Sequence, residues 1–259
     1  MDLGIAGRRA IVAASSAGLG FACAQSLARE GVHVVINGRD PQRLDTAASN
    51  LRAESSVTVE VVAGDIAEPA TRAALLAACA EPDILVTNNG GPPPGQFRQW
   101  GRDEWIAAVD ANMLAPLLLI RDVLDGMVER RFGRIVNITS AMVAAPYAAM
   151  GLSSAARAGL TSAAKGLSRE VVSANVTINN LLPERVDTGR QRQMAELAVA
   201  IKGITIEEAY AEIAASIAAG RLGRPEEIGD ACAFLCSAQA GYISGQNLHL
   251  DGGSYPGLF

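Results

Sequence analysis

Short unbroken apolar runs alternate along this chain with stretches whose apolar residues recur every three or four positions. "RRAIVAAS" reads as a short buried strand, and "FACAQSLAREG" behind it has helical spacing and a stop signal at Gly31. "VHVVING" predicts a second strand, and "DPQRLDTAASNLRAE" a second helix opened by Asp40-Pro41. "VTVEVVAGD", "DILVTNNGG" and "GRIVNITS" predict further strands, separated by helical stretches around 68–80 and 103–130. After residue 157 the pattern predicts a long alanine-rich helix, the strand "VTINNLLP", a helical region from about 189 to 219, and a final strand "QNLHLDGG". Strands alternating with helices imply right-handed crossovers and a doubly wound, mostly parallel sheet covered on both faces, an α/β fold. No linker, repeat or low-complexity stretch divides residues 1–259, so a single domain is expected.

Composition narrows this picture. Apolar residues make up 49% of the 259 and aromatics only 4%, so small aliphatics must fill the core, which suits helices lying close on a sheet. The formal charge is −5 with no long Lys/Arg block, which argues against nucleic acid or an anionic membrane as main partner. Cys23, Cys79, Cys232 and Cys236 form no CxxC pair, and His33 and His249 lie in apolar strand-like segments. Buried reduced thiols, no metal and a cytoplasmic protein are the reading. "GRRAIVAASSAGLGFACAQSLA" imitates an export signal, but Ser15, Ser16, Gly18 and Gly20 interrupt its apolar stretch.

Sheets of this kind bind ligands at the carboxyl ends of their strands. There the chain places "ASSAGLG", "NGRD", "GDI", "TNNGGPPPG", "ITS" and "LLPERVDT", rich in residues that burying a sheet does not require. Gly18 and Gly20 follow the first strand and open the first helix, where missing side chains let a pyrophosphate approach backbone N–H groups and the positive helix end. A tight turn alone also uses glycine. Strand two ends in Asn37-Gly38-Arg39, with no carboxylate before Asp40 to hold a ribose 2′-hydroxyl. Arg39 can pair a 2′-phosphate, which favours NADP(H) over NAD(H); a solvated surface arginine is the alternative.

Over nearly its whole length the chain resembles a short-chain dehydrogenase/reductase. The matching pieces are "AASSAGLG" against T-G-x-x-x-G-I-G, "TNNGG" against N-N-A-G, Asn112 in "DANMLAP", "IVNITS", "NNLLPERVDT" against N-x-x-x-P-G-x-x-x-T, "RLGRPEEIGDACAFLCS" and "SGQNLHLDGG". The resemblance implies a Rossmann-type fold. It also implies a cofactor site lined by Ser15, Ser16, Leu19, Asp65, Ile66, Asn88, Gly90, Pro183, Val186 and Thr188. A homotetramer follows from it too, built through the long helices after residues 103 and 153 and the last strand. Two departures stand out. The first loop glycine of the family pattern is Ala14 here, tolerable if that residue keeps a negative φ. The family's P-G is Pro183-Glu184, which puts a carboxylate near the expected nicotinamide and phosphates unless it points outward.

Between Arg134 and Arg157 the chain carries no charge, yet Asn137, Thr139, Ser140 and Pro146 make this run too polar and broken for a membrane span. The resembled family has here a catalytic Ser, a Tyr thirteen residues on, and a Lys four beyond it. Ser140 matches the serine, Ser153 stands at the tyrosine position and Arg157 at the lysine position, with "KGLSRE" from Lys165 in register behind them. Serine is a far poorer acid than a phenol tuned by lysine, and arginine keeps the charge without relaying a proton. Ser140 and Asn112 remain as hydrogen-bonding and water-positioning partners. Tyr147 offers a phenol from another direction, or packs beside Pro146.

Two helices from Gly189 to Gly220 are expected over the substrate side, with Met194, Leu197 and Ile201 as an apolar lid. Arg185, Arg190 and Arg192 at its start can receive an acidic substrate, although solvated helix arginines fit the same pattern. The leading expectation is an NADP(H)-dependent oxidoreductase acting on a small-molecule carbonyl/alcohol pair. The alternatives are a non-catalytic nucleotide-binding protein, acting as redox sensor or partner subunit, and an enzyme of another reaction class.

Overall fold

The computed structural model describes residues 1–258. Among them lie seven strands: β1 (Arg9–Val12), β2 (His33–Gly38), β3 (Val59–Ala63), β4 (Ile84–Thr87), β5 (Gly133–Ile138), β6 (Val176–Pro183) and β7 (Asn247–Leu250). They form one all-parallel sheet in the order β3-β2-β1-β4-β5-β6-β7. The helices are α1 (Gly18–Arg29), α2 (Pro41–Glu54), α3 (Pro69–Ala78), α4 (Arg102–Val109), α5 (Ala115–Glu129), α6 (Gly151–Val171), α7 (Gly189–Lys202), α8 (Ile206–Ala215) and α9 (Pro225–Cys236). None is long and apolar enough to cross a membrane.

Successive residues of a strand face opposite sides, so each buried strand feeds two cores. In β1, Ala10 and Val12 pack with Leu27 of α1, Ala47 of α2 and Ile228 of α9. Ile11, between them, packs with Leu75 of α3, Leu119 of α5 and Leu160 of α6 on the other face. Strand order reverses between β1 and β4, which opens a crevice at their carboxyl ends.

A polar ladder, buried from Thr87 to Asn180 and ending at the exposed Asn247 at the start of β7, crosses that half of the sheet. Thr87 Oγ1 donates to Asn137 Oδ1 (2.6 Å), Asn137 Nδ2 to Asn180 Oδ1 (2.9 Å), and Asn180 Nδ2 to Asn247 Oδ1 (2.8 Å). Each pair is also a register pair of neighbouring strands, so the ladder runs straight across β4, β5, β6 and β7. Part of the asparagine content of the edge is therefore structural.

Two helices depart from the sequence pattern. The alanine-rich helix begins at Gly151 rather than after residue 157, because Leu152, Ala156, Leu160 and Ala164 already form one buried stripe at four-residue spacing. Ser153 and Arg157 consequently lie on its first two turns. The expected helix over 103–130 is two helices joined by a π-helical turn, Asp110–Leu114, which carries Asn112. All four cysteines are buried free thiols, and burial pushes Cys79 up to about 11.

Helix α1, which faces the crevice, is held from behind by α9. Gly229 lets the two approach, since a Cβ there would collide with the Ala22 carbonyl and stand 2.6 Å from Ser26 Oγ. Gly229→Ala is expected to cost about 1–3 kcal/mol of unfolding free energy. Urea denaturation measures it, and an unchanged midpoint contradicts this packing.

Candidate active site

The crevice begins in the loop from β1 to α1. Ser15 is fully buried; its hydroxyl donates to the Val12 carbonyl (2.6 Å) and accepts from Asn37 N (3.0 Å). Asn37 is equally buried, accepting from Ala14 N (3.2 Å) and donating to the carbonyls of Val62 (2.9 Å) and Gly64 (3.1 Å). Asn88 Nδ2 donates to the Ala14 carbonyl (3.1 Å). These three side chains shape the loop rather than project from it. Ala14 has φ +45°, so the expectation of a negative φ is corrected: the loop needs a left-handed residue, and alanine accepts the strain. Gly20 has no alternative, because a Cβ would collide with the same Ala14 carbonyl.

Helix α1 starts at Gly18 (φ +60°) with no side-chain cap and no acidic residue in its first turn. Its first N–H groups are thus left uncapped, an arrangement that can hold an anion. Ser16, Gly38, Arg39, Asp65, Ile66 and Gly90 line one cleft beside it. Leu19 packs partly into the core beneath. From the far side, after Pro183 and Val186, Thr188 brings its Cγ2 to 3.8 Å from where a Gly18 Cβ would lie. Arg39 is 78% exposed at its side chain and only 3.9 Å from Asp65 Oδ2, a loose ion pair of little net worth that leaves it free for a ligand. Arg43, which sequence reading passed over, lines an adjoining cleft with Ser16 and Thr46. The signal was present, since Asp40 caps α2 through Gln42 N and Arg43 N and so fixes Arg43 in its first turn.

Glu184 does not enter this cleft. It walls a separate cavity with His249, Asp251 and Arg221, and its carboxylate lies 3.4 Å from Arg185 Nε.

The other end of the crevice is organised by Arg157. Its Nη1 donates to the carbonyls of Ile138 (2.7 Å) and Thr139 (3.2 Å), its Nη2 to Asn89 O (2.8 Å), and its Nε to Ser153 Oγ (3.2 Å). Burial, then the nearby charge of Arg190, lowers its pKa to about 10. It stays cationic at neutral pH. Asn89 Nδ2 continues the chain to the Ala111 carbonyl (2.9 Å), beside Asn112. Asn112 is 3% exposed, and its Oδ1 has no partner among the described residues, an acceptor awaiting a donor. Ser140 follows Thr139, and its Oγ accepts from Met142 N (3.2 Å). One bonded chain thus links Ser153, Arg157, the Ser140 strand end and the Asn112 turn. Tyr147 lies outside it, 54% exposed on the loop before α6.

The sequence profile of the family described as enoyl-(acyl carrier protein) reductase matches residues 13–255. The chain belongs to the short-chain dehydrogenase/reductase family. It is 32% identical to the NADPH-dependent reductase BacG of Bacillus subtilis over 95% of its own length and 97% of BacG. It is 31% identical to the 3-oxoacyl-[acyl-carrier-protein] reductase FabG of Salmonella typhimurium, over 96% and 98% of the two chains. Among solved structures, L-sorbose reductase from Gluconobacter frateurii, complexed with NADPH and L-sorbose, superposes with a TM-score of 0.95 at 29% identity, covering all of both chains. The crevice of this short-chain dehydrogenase/reductase lies where doubly wound sheets hold dinucleotides.

In this short-chain dehydrogenase/reductase the left-handed Ala14 should be improvable. Ala14→Gly is expected to raise the unfolding free energy by about 0.5–1 kcal/mol, strain relief exceeding the added backbone entropy. A lower stability by denaturant titration contradicts the strain.

Proposed function

We propose that this chain is an NADP(H)-dependent oxidoreductase that interconverts a carbonyl and an alcohol, with Ser153 and Arg157 in place of the Tyr and Lys of the family pattern. The observation that carries the reading is the continuity of the crevice, from an uncapped helix end with glycine clearance to a buried cation beside hydroxyl groups. The residues fit a phosphorylated dinucleotide. The α1 N–H groups and the open face at Gly18 suit its pyrophosphate, and Ser16, Arg39 and Arg43 suit a 2′-phosphate. The NADPH dependence of BacG and the NADPH complex of L-sorbose reductase support the same choice.

Bound NADPH supplies the hydride. Ser140 and Ser153 offer hydroxyl protons to the substrate oxygen, and the Arg157 charge stabilises negative charge developing there. Arg157 gives up no proton near neutrality, and serine is too weak an acid to replace a phenol. The proton therefore comes from outside α6. Tyr147 is the phenol within reach by sequence, and its exposure on the loop before α6 leaves it open to a ligand. Helices α7 and α8 serve as the lid on the substrate side, carrying Leu197 and Ile201 exposed. A homotetramer belongs to the same reading, supported by the unpaired outer edge of β7 and its exposed Leu248.

Titration with NADPH and NADH, followed by nicotinamide fluorescence, tests the cofactor assignment. NADPH is expected to bind at least about 10-fold tighter, with Arg39→Ala and Arg43→Ala each eroding the difference. Equal affinities contradict it, and tight NADPH binding with no carbonyl reduced favours a non-catalytic nucleotide-binding protein. Tyr147→Phe is expected to lower kcat by about 10²-fold without moving NADPH affinity; an unchanged kcat assigns the proton to solvent.

A further inference from the structure

Three arginines cluster at the entry to the lid, and the structure separates them. Arg185 Nε lies 3.4 Å from Glu184, and Arg192 Nε donates to Glu196 at 3.0 Å. Arg190, between them, has no carboxylate partner among the described residues. It is exposed, and its Nη2 donates only to the Pro92 carbonyl (3.0 Å). Pro92 follows Gly91, whose Cβ, if present, would stand 3.2 Å from Ser153 Oγ and 3.8 Å from Arg157 Nη2. The free cation of α7 therefore borders the same short loop that borders Ser153.

Arg157 is itself buried without an ion pair. Its hydrogen bonds use four of five guanidinium N–H groups, leaving one on Nη2, the nitrogen nearest Gly91. Glu184, the carboxylate expected to oppose these charges, faces the other cavity. Neither Arg157 nor Arg190 thus pairs with a carboxylate among the described residues, and Arg157 lies in surroundings that screen charge less than water does. Arginine without a partner at such a place fits a planar oxyanion.

Building on the carbonyl/alcohol reading, we infer that the substrate is an oxo or hydroxy acid whose carboxylate is received by Arg190, with its reacting oxygen toward Ser153 and Arg157. Arg190 is then a specificity-determining residue, and its bond to Pro92 is exchanged for one to the substrate.

Binding is measured by calorimetry in the NADP⁺ complex, where no turnover is needed. Pyruvate, acetoacetate and levulinate are each compared with their methyl esters. At least one acid is expected to bind about 10-fold or more tightly than its ester. Arg190→Gln should remove that preference, Arg190→Lys should keep part of it, and neither should change the NADP⁺ dissociation constant. Esters binding as well as acids, or no acid binding, overturns the inference. So does an Arg190→Gln variant that loses NADP⁺ by the same factor, which assigns the arginine to the cofactor phosphates. NADPH oxidation with the same compounds tests the underlying reading separately: acids that bind through Arg190 and are not reduced remove the carbonyl chemistry and leave the anion site.

Discussion

Four oxygens at the carboxyl edge of the sheet are turned away from water, and a single guanidinium serves them all. Buried carbonyls must be satisfied, and those of Ile138, Thr139 and Asn89 accept from Arg157 where β5 and the loop after β4 end. Arg157 supplies a planar fork that reaches all three and still bonds Ser153 within its own helix. An ammonium group offers its donors from one point and cannot span such a set. The tie sets α6 against the end of β5 and the loop after β4, the three segments that wall the reaction end of the crevice. The charge is retained by carbonyl dipoles rather than by a carboxylate, which leaves the local potential positive.

The remainder of the edge divides its polar residues between framework and ligand. Ser15, Asn37 and Asn88 spend their hydrogen bonds on the β1–α1 loop, and Thr87, Asn137, Asn180 and Asn247 spend theirs on the ladder. What remains free is Ser16, Arg39 and Arg43 at one end, and Arg190 with the Ser153 hydroxyl at the other. A stiff floor with a few unspent groups is what orienting a bound molecule requires. The left-handed Ala14 is a local strain that this framework holds in place.

Much of the fold was legible because burial on both faces leaves unbroken apolar strands, and helix signals such as Asp40-Pro41 are local. The turn at Gly18 and Gly20 into α1 was legible for the same reason: it depends on neighbours a few residues away. Direction was not legible. Glu184 reads as a carboxylate beside phosphates until the fold places it in the wall of a separate cavity with His249 and Asp251. Arg157 reads as a cation facing ligand until the carbonyls that claim it, 18 and 19 residues away in sequence and 68 away at Asn89, are brought to it. The start of α6 was missed because a charge-free run hides a helical stripe of Leu and Ala among serines. The Asp40 cap that fixes Arg43 in the first turn of α2 is a local signal, but the cleft Arg43 lines with Ser16 forms only when the β1–α1 loop is brought beside it.

The tie made by Arg157 is the interaction on which this end of the crevice depends. Urea unfolding of Arg157→Lys, beside the parent chain, is its most direct test. The lysine keeps the charge yet strands at least one buried carbonyl, so the variant is expected to lose about 2–3 kcal/mol. A lysine variant as stable as the parent contradicts the claim that this guanidinium holds the site together.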